Sequence, residues 1–418
     1  MISVITTCKN RLYYLKDTIE SYVACPRVRE VVVVDFDSTP PLVDEMMPDE
    51  SEKLNLIRVN NQPIWKIGLA QNIGASFVKS DIFLKIDCDV AIKYIDFYVD
   101  DLIKSNGVFY RGKHGDGVSS GLLLIKKRDF DRVGGYNEWI SGWGGDDTDL
   151  YERLIESGLT AKYFNAADFQ EMVQPMVDKN SNAKILDGYL FDRCSDLASQ
   201  PGFSLIRNYV LCLMRPQNSL NRLNFFYDDS SPIRVSIDDF DRRRDLESRY
   251  VDLANGLAMY LFEDGVEIVD LLPGGKARKK VIEIGRRLRS SSNEEKFSLE
   301  SRVKIDRHAF VIPFVFNAGC VYRVVYEFEA EAFGNLDKVA VFSLSDGIEQ
   351  YFTPPRGFAI SCHKGIGLYR YMAYVYDGGR QSFTFCLPDG FSEAVAKVLP
   401  WGIVPSGLEL RYMEIKRI

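Results

Sequence analysis

The sequence predicts an α/β domain, then a helical and charged linker, then a β-sandwich, and three observations carry that order. Strand and helix signals alternate through the first hundred residues, as a parallel sheet covered by helices requires. Two of those strands run into paired carboxylates, Asp35-Phe36-Asp37 and Asp87-Cys88-Asp89, and open α/β sheets hold ligands at the carboxyl ends of their strands. Past residue 300 the apolar period changes to two, the spacing of half-buried strands.

Ile2 to Thr7 is an apolar run of strand length, and Leu12 to Val23 repeats apolar residues at helical spacing. Val31-Val32-Val33-Val34 is the second strand and Asn55 to Val59 the third; a helix follows over Gly68 to Val78, and Ile82 to Ile86 is the fourth strand. Ser120-Gly121-Leu122-Leu123-Leu124-Ile125 is a further apolar strand, followed by Gly134-Gly135-Tyr136 and by Trp143-Gly144-Gly145-Asp146-Asp147-Thr148-Asp149-Leu150. That run sets a glycine turn and a tryptophan beside three carboxylates, the makings of a sugar-sized pocket with an acid/base group on its floor. It is equally a well-capped acidic start for a helix continuing through Tyr151-Glu152-Arg153-Leu154-Ile155. The two readings are compatible.

At 418 residues the chain has room for two or three domains. Its 46% apolar and 27% charged content is that of a soluble globular protein, and a net charge of -7 without a dominant basic stripe argues against nucleic acid as a partner. Eight cysteines are scattered with no Cys-x-x-Cys pair, which predicts reduced thiols of a cytoplasmic protein. Met1 leads straight into Ile2-Ser3-Val4-Ile5, and no run of ~18 apolar residues occurs, so neither export by a signal peptide nor a membrane span is expected.

No Gly-x-Gly-x-x-Gly follows the first strand and no Gly-x-x-x-x-Gly-Lys-Ser/Thr occurs, which removes the main warrant for dinucleotide oxidoreductases and P-loop NTPases. Thr6-Thr7-Cys8-Lys9-Asn10-Arg11 stands there instead, with Lys9 and Arg11 either facing phosphates or simply solvated. Two carboxylates one residue apart, as in Asp87-Cys88-Asp89, can divide between a ribose hydroxyl and a hard divalent cation where the backbone bends.

Val4 to Arg11, Val31 to Thr39, Gly68-Leu69-Ala70-Gln71-Asn72-Ile73-Gly74-Ala75, Asp87-Cys88-Asp89 and Ser120 to Leu150 resemble, in this order, the blocks of GT-A fold glycosyltransferases of the family 2 type. The last block also resembles that of β-1,4-galactosyltransferases and chondroitin polymerase modules. The resemblance implies a Rossmann-like nucleotide-sugar domain over residues 1–225. In it Thr6, Arg11 and Asn72 line the donor, Asp35 or Asp37 contacts the base, Asp87 the ribose, and Asp89 the metal, Mn²⁺ or Mg²⁺. Asp147 becomes the catalytic base, with Asp146 and Trp143 holding the acceptor and donor sugars. Family members supply a histidine as a further metal ligand after the helix that follows the acidic block. Here the chain reads Ala167-Asp168-Phe169-Gln170-Glu171-Met172, and His114, His308 and His363 lie elsewhere. Asp168, Gln170, Glu171 or water then fills the place, and Gln170 joins Asp89 and Asp87 as the expected metal set.

The chemistry supports these roles independently of the resemblance. Inverting transfer needs a base for the attacking hydroxyl and a cation to neutralise the departing diphosphate. A carboxylate beside another has its proton affinity raised, which suits a base, and Asp146-Asp147 supplies that pair. Trp143 offers a flat face for a sugar ring, or else packs as a core residue between turn glycines.

Leu186 to Leu197 and Leu205 to Met214 are helical patches, and Ser230 to Glu247, with Arg242-Arg243-Arg244, is polar enough to mark a boundary. Tyr250 to Phe262 reads as a helix and Lys276 to Arg289 as a basic segment, giving a helical, charged linker over residues 226–300. The basic segment either docks on an anionic membrane or polysaccharide, or is one solvated helix face. Val321 to Glu329, Tyr369 to Tyr376, Phe383 to Phe385 and Leu408 to Ile415 are strands of a β-sandwich over residues 301–418, by fold analogy one resembling carbohydrate-binding modules.

The expectation is a metal-assisted inverting glycosyltransferase that takes a nucleotide-sugar donor, UDP-linked, and a hydroxyl on a growing glycan. Bacterial capsule synthesis is the expected setting, in the cytoplasm or peripheral to the inner face of the membrane. The missing histidine raises an alternative, a non-catalytic glycan-binding protein with a degenerate transferase domain. A nucleotidyltransferase would want a Gly-rich basic loop after the first strand, and none is present.

Overall fold

The structure is a computed structural model. It describes residues 1–42, 52–62, 65–113, 120–142, 144–172, 201–214, 225–228, 232–237, 250–251, 253–255, 257–258, 261, 268–290, 296–299, 301–305, 310–317, 320–329, 338–345, 361–363, 368–374, 380–386, 393–400 and 408–417. By internal contacts the chain divides into two units, residues 1–186 with 218–244, and residues 187–217 with 245–418.

The first unit begins with β1 (Ile2–Cys8), α1 (Leu12–Ala24), β2 (Val28–Phe36), β3 (Leu54–Val59), α2 (Ile67–Ser76), β4 (Ile82–Lys85), β5 (Val90–Ile92), α3 (Asp96–Lys104) and β6 (Val108–Arg111). It continues with β7 (Leu123–Lys126), α4 (Lys127–Arg132), α5 (Asp146–Glu156), β8 (Thr160–Tyr163), β9 (Phe169–Glu171), β10 (Phe225–Asp228) and β11 (Ile233–Ile237). Nine of these strands form one sheet in the order β10-β11-β3-β2-β1-β4-β7-β6-β8. The stretch from β11 to β4 is parallel, whereas β7 runs antiparallel to both β4 and β6. The apolar strand expected from Ser120 starts at Leu123, and its reversed direction makes the sheet mixed.

The alternating pleat explains why Val31 to Val34 are all apolar. Val31 and Val33 join Val4, Leu84 and Leu124 on the face covered by Leu15 and Tyr22 of α1 and by Val99 and Leu102 of α3. Val32 and Val34 join Ile5, Phe83 and Leu123 on the face covered by Leu69 and Ile73 of α2 and by Leu150 and Leu154 of α5. Gly74 lets α2 approach closely: a Cβ there would lie 2.7 Å from Ile5 Cγ2 and 3.1 Å from Val34 Cγ2.

The sheet also extends past the boundary expected at residue 225. β11 pairs in parallel with β3, Ile233 opposite Ile57 and Val235 opposite Val59, and β10 caps it antiparallel. The alternation of Ile233, Val235 and Ile237, two of them buried, gives the strand its core face despite polar surroundings.

The second unit contains α6 (Pro201–Met214), α7 (Lys276–Ser290) and ten strands: β12 (Lys296–Ser298), β13 (Val303–Lys304), β14 (Phe310–Asn317), β15 (Val321–Glu329), β16 (Lys338–Ser345), β17 (Ser361–His363), β18 (Leu368–Tyr374), β19 (Gln381–Cys386), β20 (Glu393–Pro400) and β21 (Glu409–Arg417). They form two antiparallel sheets, β12-β21-β15-β19 with β13 also on β21, and β14-β20-β16-β18-β17. Rings of Phe316 and Tyr322, 4.8 Å apart, link β14 of one to β15 of the other. In α7 the apolar Ala277, Val281 and Ile284 are buried while Lys276, Lys279 and Arg286 are exposed, and Gly285 packs on the backbone of Met214 in α6. Among the described residues no helix is long and apolar enough to cross a membrane. The helix expected over Leu186 to Leu197, His114 and Trp143 lie outside the described residues.

Candidate active site

The carboxyl ends of β1, β2, β3 and β4 gather three groups of charged side chains. In the first, Arg58 at the end of β3 reaches back to Asp35 at 2.6 Å and to Asp37 at 3.2 Å. Asp35, with a side chain only 1% exposed, also accepts the backbone N–H groups of Ser38 and Leu42. It therefore pins the loop after β2 and is closed to a ligand. Asp37, left-handed at φ 58° and 26% exposed, holds Gln62 N and is the more open of the two residues expected to contact a base. Lys9 is neither phosphate-facing nor solvated: its ammonium donates to the carbonyls of Phe36, Asp37 and Gln62 at 2.9 to 3.2 Å, and burial lowers its pKa.

The second group follows β4. Tyr22 donates to the carbonyl of Asp87, and Thr18 to that of Cys88, so α1 shapes the bend of Asp87-Cys88-Asp89. Asp89 is buried and paired with Arg11 at 3.3 Å. Burial raises its carboxyl above the ordinary range, Asp87 and then Glu171 add to the rise, and Arg11 opposes it. Glu171 comes close because β9 pairs antiparallel with β5, setting Glu171 opposite Val90, and Met172 N donates to Asp89 O.

This pairing separates the residues expected around a metal. Gln170 is exposed and stands opposite Ala91; alternation along β9 aims it away from the face that Glu171 shares with Val90. The Asp168 carboxylate accepts the hydroxyl of Tyr98 on one oxygen. The acidic residue beside Asp89 is Glu171. Two buried or half-buried carboxylates whose repulsion a cation would relieve fit a hard divalent ion bound through oxygen. Among the described residues no cluster of three or more His, Cys, Asp and Glu is placed to hold a metal ion.

The third group is the floor of the site. Lys85, the last residue of β4, is fully buried and donates to Gly121 O at 2.6 Å. Its ammonium also pairs with Asp87 at 2.9 Å and with Asp147 at 3.5 Å. Asp147 accepts the Tyr136 hydroxyl at 3.1 Å. Burial raises the Asp147 carboxyl to about 7, with Lys85 opposing and Asp146 and Asp87 reinforcing. Burial likewise raises Asp146, against the pull of Lys85. Asp149 is spent on Arg153, which binds it at 2.6 and 2.9 Å.

The turn glycines have the role their positions suggest. Gly134, Gly135, Gly144 and Gly145 all have positive φ, a conformation that side chains disfavour; they bring Tyr136 and the start of α5 onto one spot. Asn72 is what fixes that turn. Its amide donates to Tyr136 O and Glu138 Oε1 and accepts Tyr136 N, all within 2.9 Å, so both its N–H donors are used inside the protein and the buried side chain is turned away from a donor sugar. Thr6 is likewise buried within β1 and closed to a nucleotide. The structure brings Asp87, Asp146 and Asp147 close around Lys85 and sets Arg11 against Asp89; sequence reasoning assigned Lys85 and Arg58 no role, and it named Gly121, Tyr136 and Glu171 without their partners. The available signal was a lysine inside an otherwise apolar central strand.

Comparison with known proteins bears on this part of the chain. Residues 105–175, from before β6 to after β9, match the family described as the N-terminal domain of galactosyltransferase. A 51-residue segment is 43% identical to mouse N-acetyl-beta-glucosaminyl-glycoprotein 4-beta-N-acetylgalactosaminyltransferase 1; it is 12% of this chain and spans 5% of that relative. A Drosophila β-1,4-galactosyltransferase 7 mutant solved with manganese, UDP-Gal and xylobiose is 11% identical, with 58% of this chain and 97% of that one covered at a TM-score of 0.35. GalNAc-T7 solved with UDP, GalNAc and Mn²⁺ is 14% identical, with 53% and 52% covered at a TM-score of 0.38. The family match falls on the segment that carries Tyr136, Asp146 and Asp147.

Proposed function

We propose that the first unit is an inverting glycosyltransferase of GT-A type, resembling family 2, that moves a sugar from a UDP-linked donor to a hydroxyl of a growing surface glycan. The observation that carries this reading is Asp147: a carboxylate at the start of α5, raised to about 7 and bonded to Tyr136 and Lys85. A general base works best with a pKa near the operating pH.

Asp147 takes the proton of the acceptor hydroxyl as its oxygen attacks the anomeric carbon from the face opposite the diphosphate. The bond to the phosphate oxygen breaks and its electron pair leaves with the diphosphate. Asp37 and Arg58 are the groups facing the base of the donor, and Asp87 at the bend is the ribose contact. Arg11 lies against Asp89, where a guanidinium can meet phosphate oxygens. Asp89 and Glu171 would hold a divalent ion, which when bound neutralises charge on the leaving diphosphate. In this reading the chain works in the cytoplasm, the exposed lysines of α7 meet an anionic membrane or polysaccharide, and the two antiparallel sheets form a sandwich that holds acceptor glycan.

Incubating the full chain with Mn²⁺ and radiolabelled UDP-galactose, UDP-N-acetylgalactosamine and UDP-glucose tests the proposal. Release or transfer of the labelled sugar is expected. Glycan retention with no turnover of any donor would replace it with a binding protein. The ligand set gives a second measurement: with Asp89 and Glu171 the carboxylates proposed to hold it among the described residues, Mn²⁺ titrated by calorimetry is expected to bind much more tightly in the presence of UDP than alone, because the diphosphate completes the oxygen shell. Equal affinity in both titrations would remove Asp89 and Glu171 as its seat.

A further inference from the structure

Lys85 occupies the centre of the sheet, on a strand flanked by β1 and β7, at a place where an apolar side chain would be ordinary. Its ammonium is sealed from water, with the side chain 1% exposed. Burial works against that charge, and Asp147 and Asp87 more than restore it. Replacing a buried ion pair by an apolar group of similar volume is often neutral or stabilising, so stability alone gives no reason for a cation here.

What the cation does is geometric. Asp87 follows β4 and belongs to the donor side; Asp147 opens α5 and belongs to the acceptor side. One ammonium touches both, at 2.9 and 3.5 Å, and is itself fixed by Gly121 O at 2.6 Å. The three polar groups meet over bare backbone. A Cβ on Gly121 would lie 2.6 Å from Asp87 Oδ2, 3.1 Å from Lys85 Nζ and 3.4 Å from Asp147 Oδ2. Glycine at 121 is therefore part of the same arrangement, and its φ has nothing to do with it. Tyr136 closes the cluster from the other side, donating to the Asp147 oxygen that faces Lys85.

We propose that Lys85 is a positioning residue that aims Asp147 at the reacting hydroxyl and ties it to Asp87, so that base and donor carboxylate are set as one unit. The inference rests on the glycosyl-transfer reading above. Lys85 neither gains nor loses a proton in the step; the proton passes from the acceptor hydroxyl to Asp147 alone. Once Asp147 is neutral its hold on the ammonium weakens, and Asp87 remains as the countercharge.

The test is a double-mutant cycle on the full chain, using whichever of UDP-galactose, UDP-N-acetylgalactosamine and UDP-glucose the wild type turns over fastest. Lys85→Met is expected to lower kcat about 100-fold, the scale of misplacing a catalytic group by about 1 Å, with acceptor KM within about threefold. In the Asp147→Asn background the same change should alter the residual rate less than about threefold, because Lys85 acts through Asp147. A merely structural lysine would lower both backgrounds by the same factor. Gly121→Ala keeps every charge and displaces the cluster, so it should lower kcat in the same direction, and it serves where Lys85→Met does not fold. The inference is overturned if Lys85→Met keeps more than about a third of wild-type kcat, if the cycle is additive, or if Gly121→Ala has wild-type kcat. If the wild type turns over none of the donors, the glycosyl-transfer reading falls first and the role of Lys85 with it.

Discussion

Asp147 sits among opposing charges, and its behaviour with pH follows from them. Burial, then Asp146 and Asp87, raise its carboxyl to about 7 against the pull of Lys85 and Tyr136. A base must be ionised to accept a proton, so kcat/KM should climb with pH through an acidic limb near 7 and level off above it. Stability runs the other way. Because the folded pKa is above the unfolded one, the folded state binds more protons between about 4 and 7, and this group's contribution to stability falls as pH rises through that window. Urea melts of Asp147→Asn should show a flatter pH dependence there than the wild type. The same substitution should lower transfer by ~10²–10⁴-fold while UDP affinity by calorimetry stays nearly unchanged, since only a transition-state interaction is removed. Retention of more than about a tenth of the activity, under ~1.4 kcal/mol, would move the base to Asp146, because Asp149 is held by Arg153. At this scale the acidic residues were legible in the sequence through their spacing. Lys85 and Asn72 were not, because what a buried polar group bonds depends on elements far from it in the chain: Gly121 is 36 residues from Lys85 and Tyr136 is 64 from Asn72.

Elements show the same division. The valine run of β2 was legible because both its faces are buried, and the carboxylates after β2 and β4 because strand ends are where chains turn. β11 was not: Ile233, Val235 and Ile237 alternate correctly, but they lie in a polar tract that composition marks as a boundary, and only their pairing with β3 makes them part of the sheet. Arg58 is the link between β3 and the loop after β2. It faces Asp35, which has almost no contact with water, so removing the guanidinium leaves a buried carboxylate unpaired. Arg58→Met is expected to destabilise the first unit by about 3–5 kcal/mol, read from urea denaturation. It should also weaken UDP binding, because Asp37 loses its partner. A loss of less than about 1 kcal/mol, the range of surface pairs, would mean that Ser38 N and Leu42 N suffice to hold Asp35.

On the scale of the whole molecule, the residues assigned to chemistry all precede residue 175, while the first unit needs chain from beyond residue 217 to finish its sheet. Two truncations therefore separate what the first unit requires from what it does not. A fragment ending at Ser292, in the polar run Ser290-Ser291-Ser292-Asn293-Glu294-Glu295, keeps β10 and β11. It also keeps α6 and α7, which pack on each other through Met214 and Gly285, and loses only the two antiparallel sheets. It should be soluble, bind UDP with wild-type affinity and still hydrolyse donor. A fragment ending at residue 217 removes β11 and opens the edge of β3, whose Ile57 and Val59 are buried. An uncovered edge strand of that kind pairs with other chains, so this fragment should elute as aggregate in size-exclusion chromatography. If the 1–292 fragment folds, by circular dichroism, yet no longer binds UDP, residues beyond 292 take part in donor binding and the proposed chemistry is not confined to the first unit. If the 1–217 fragment is monomeric and binds UDP, β10 and β11 are an ornament of the sheet and the catalytic unit ends where the polar tract begins.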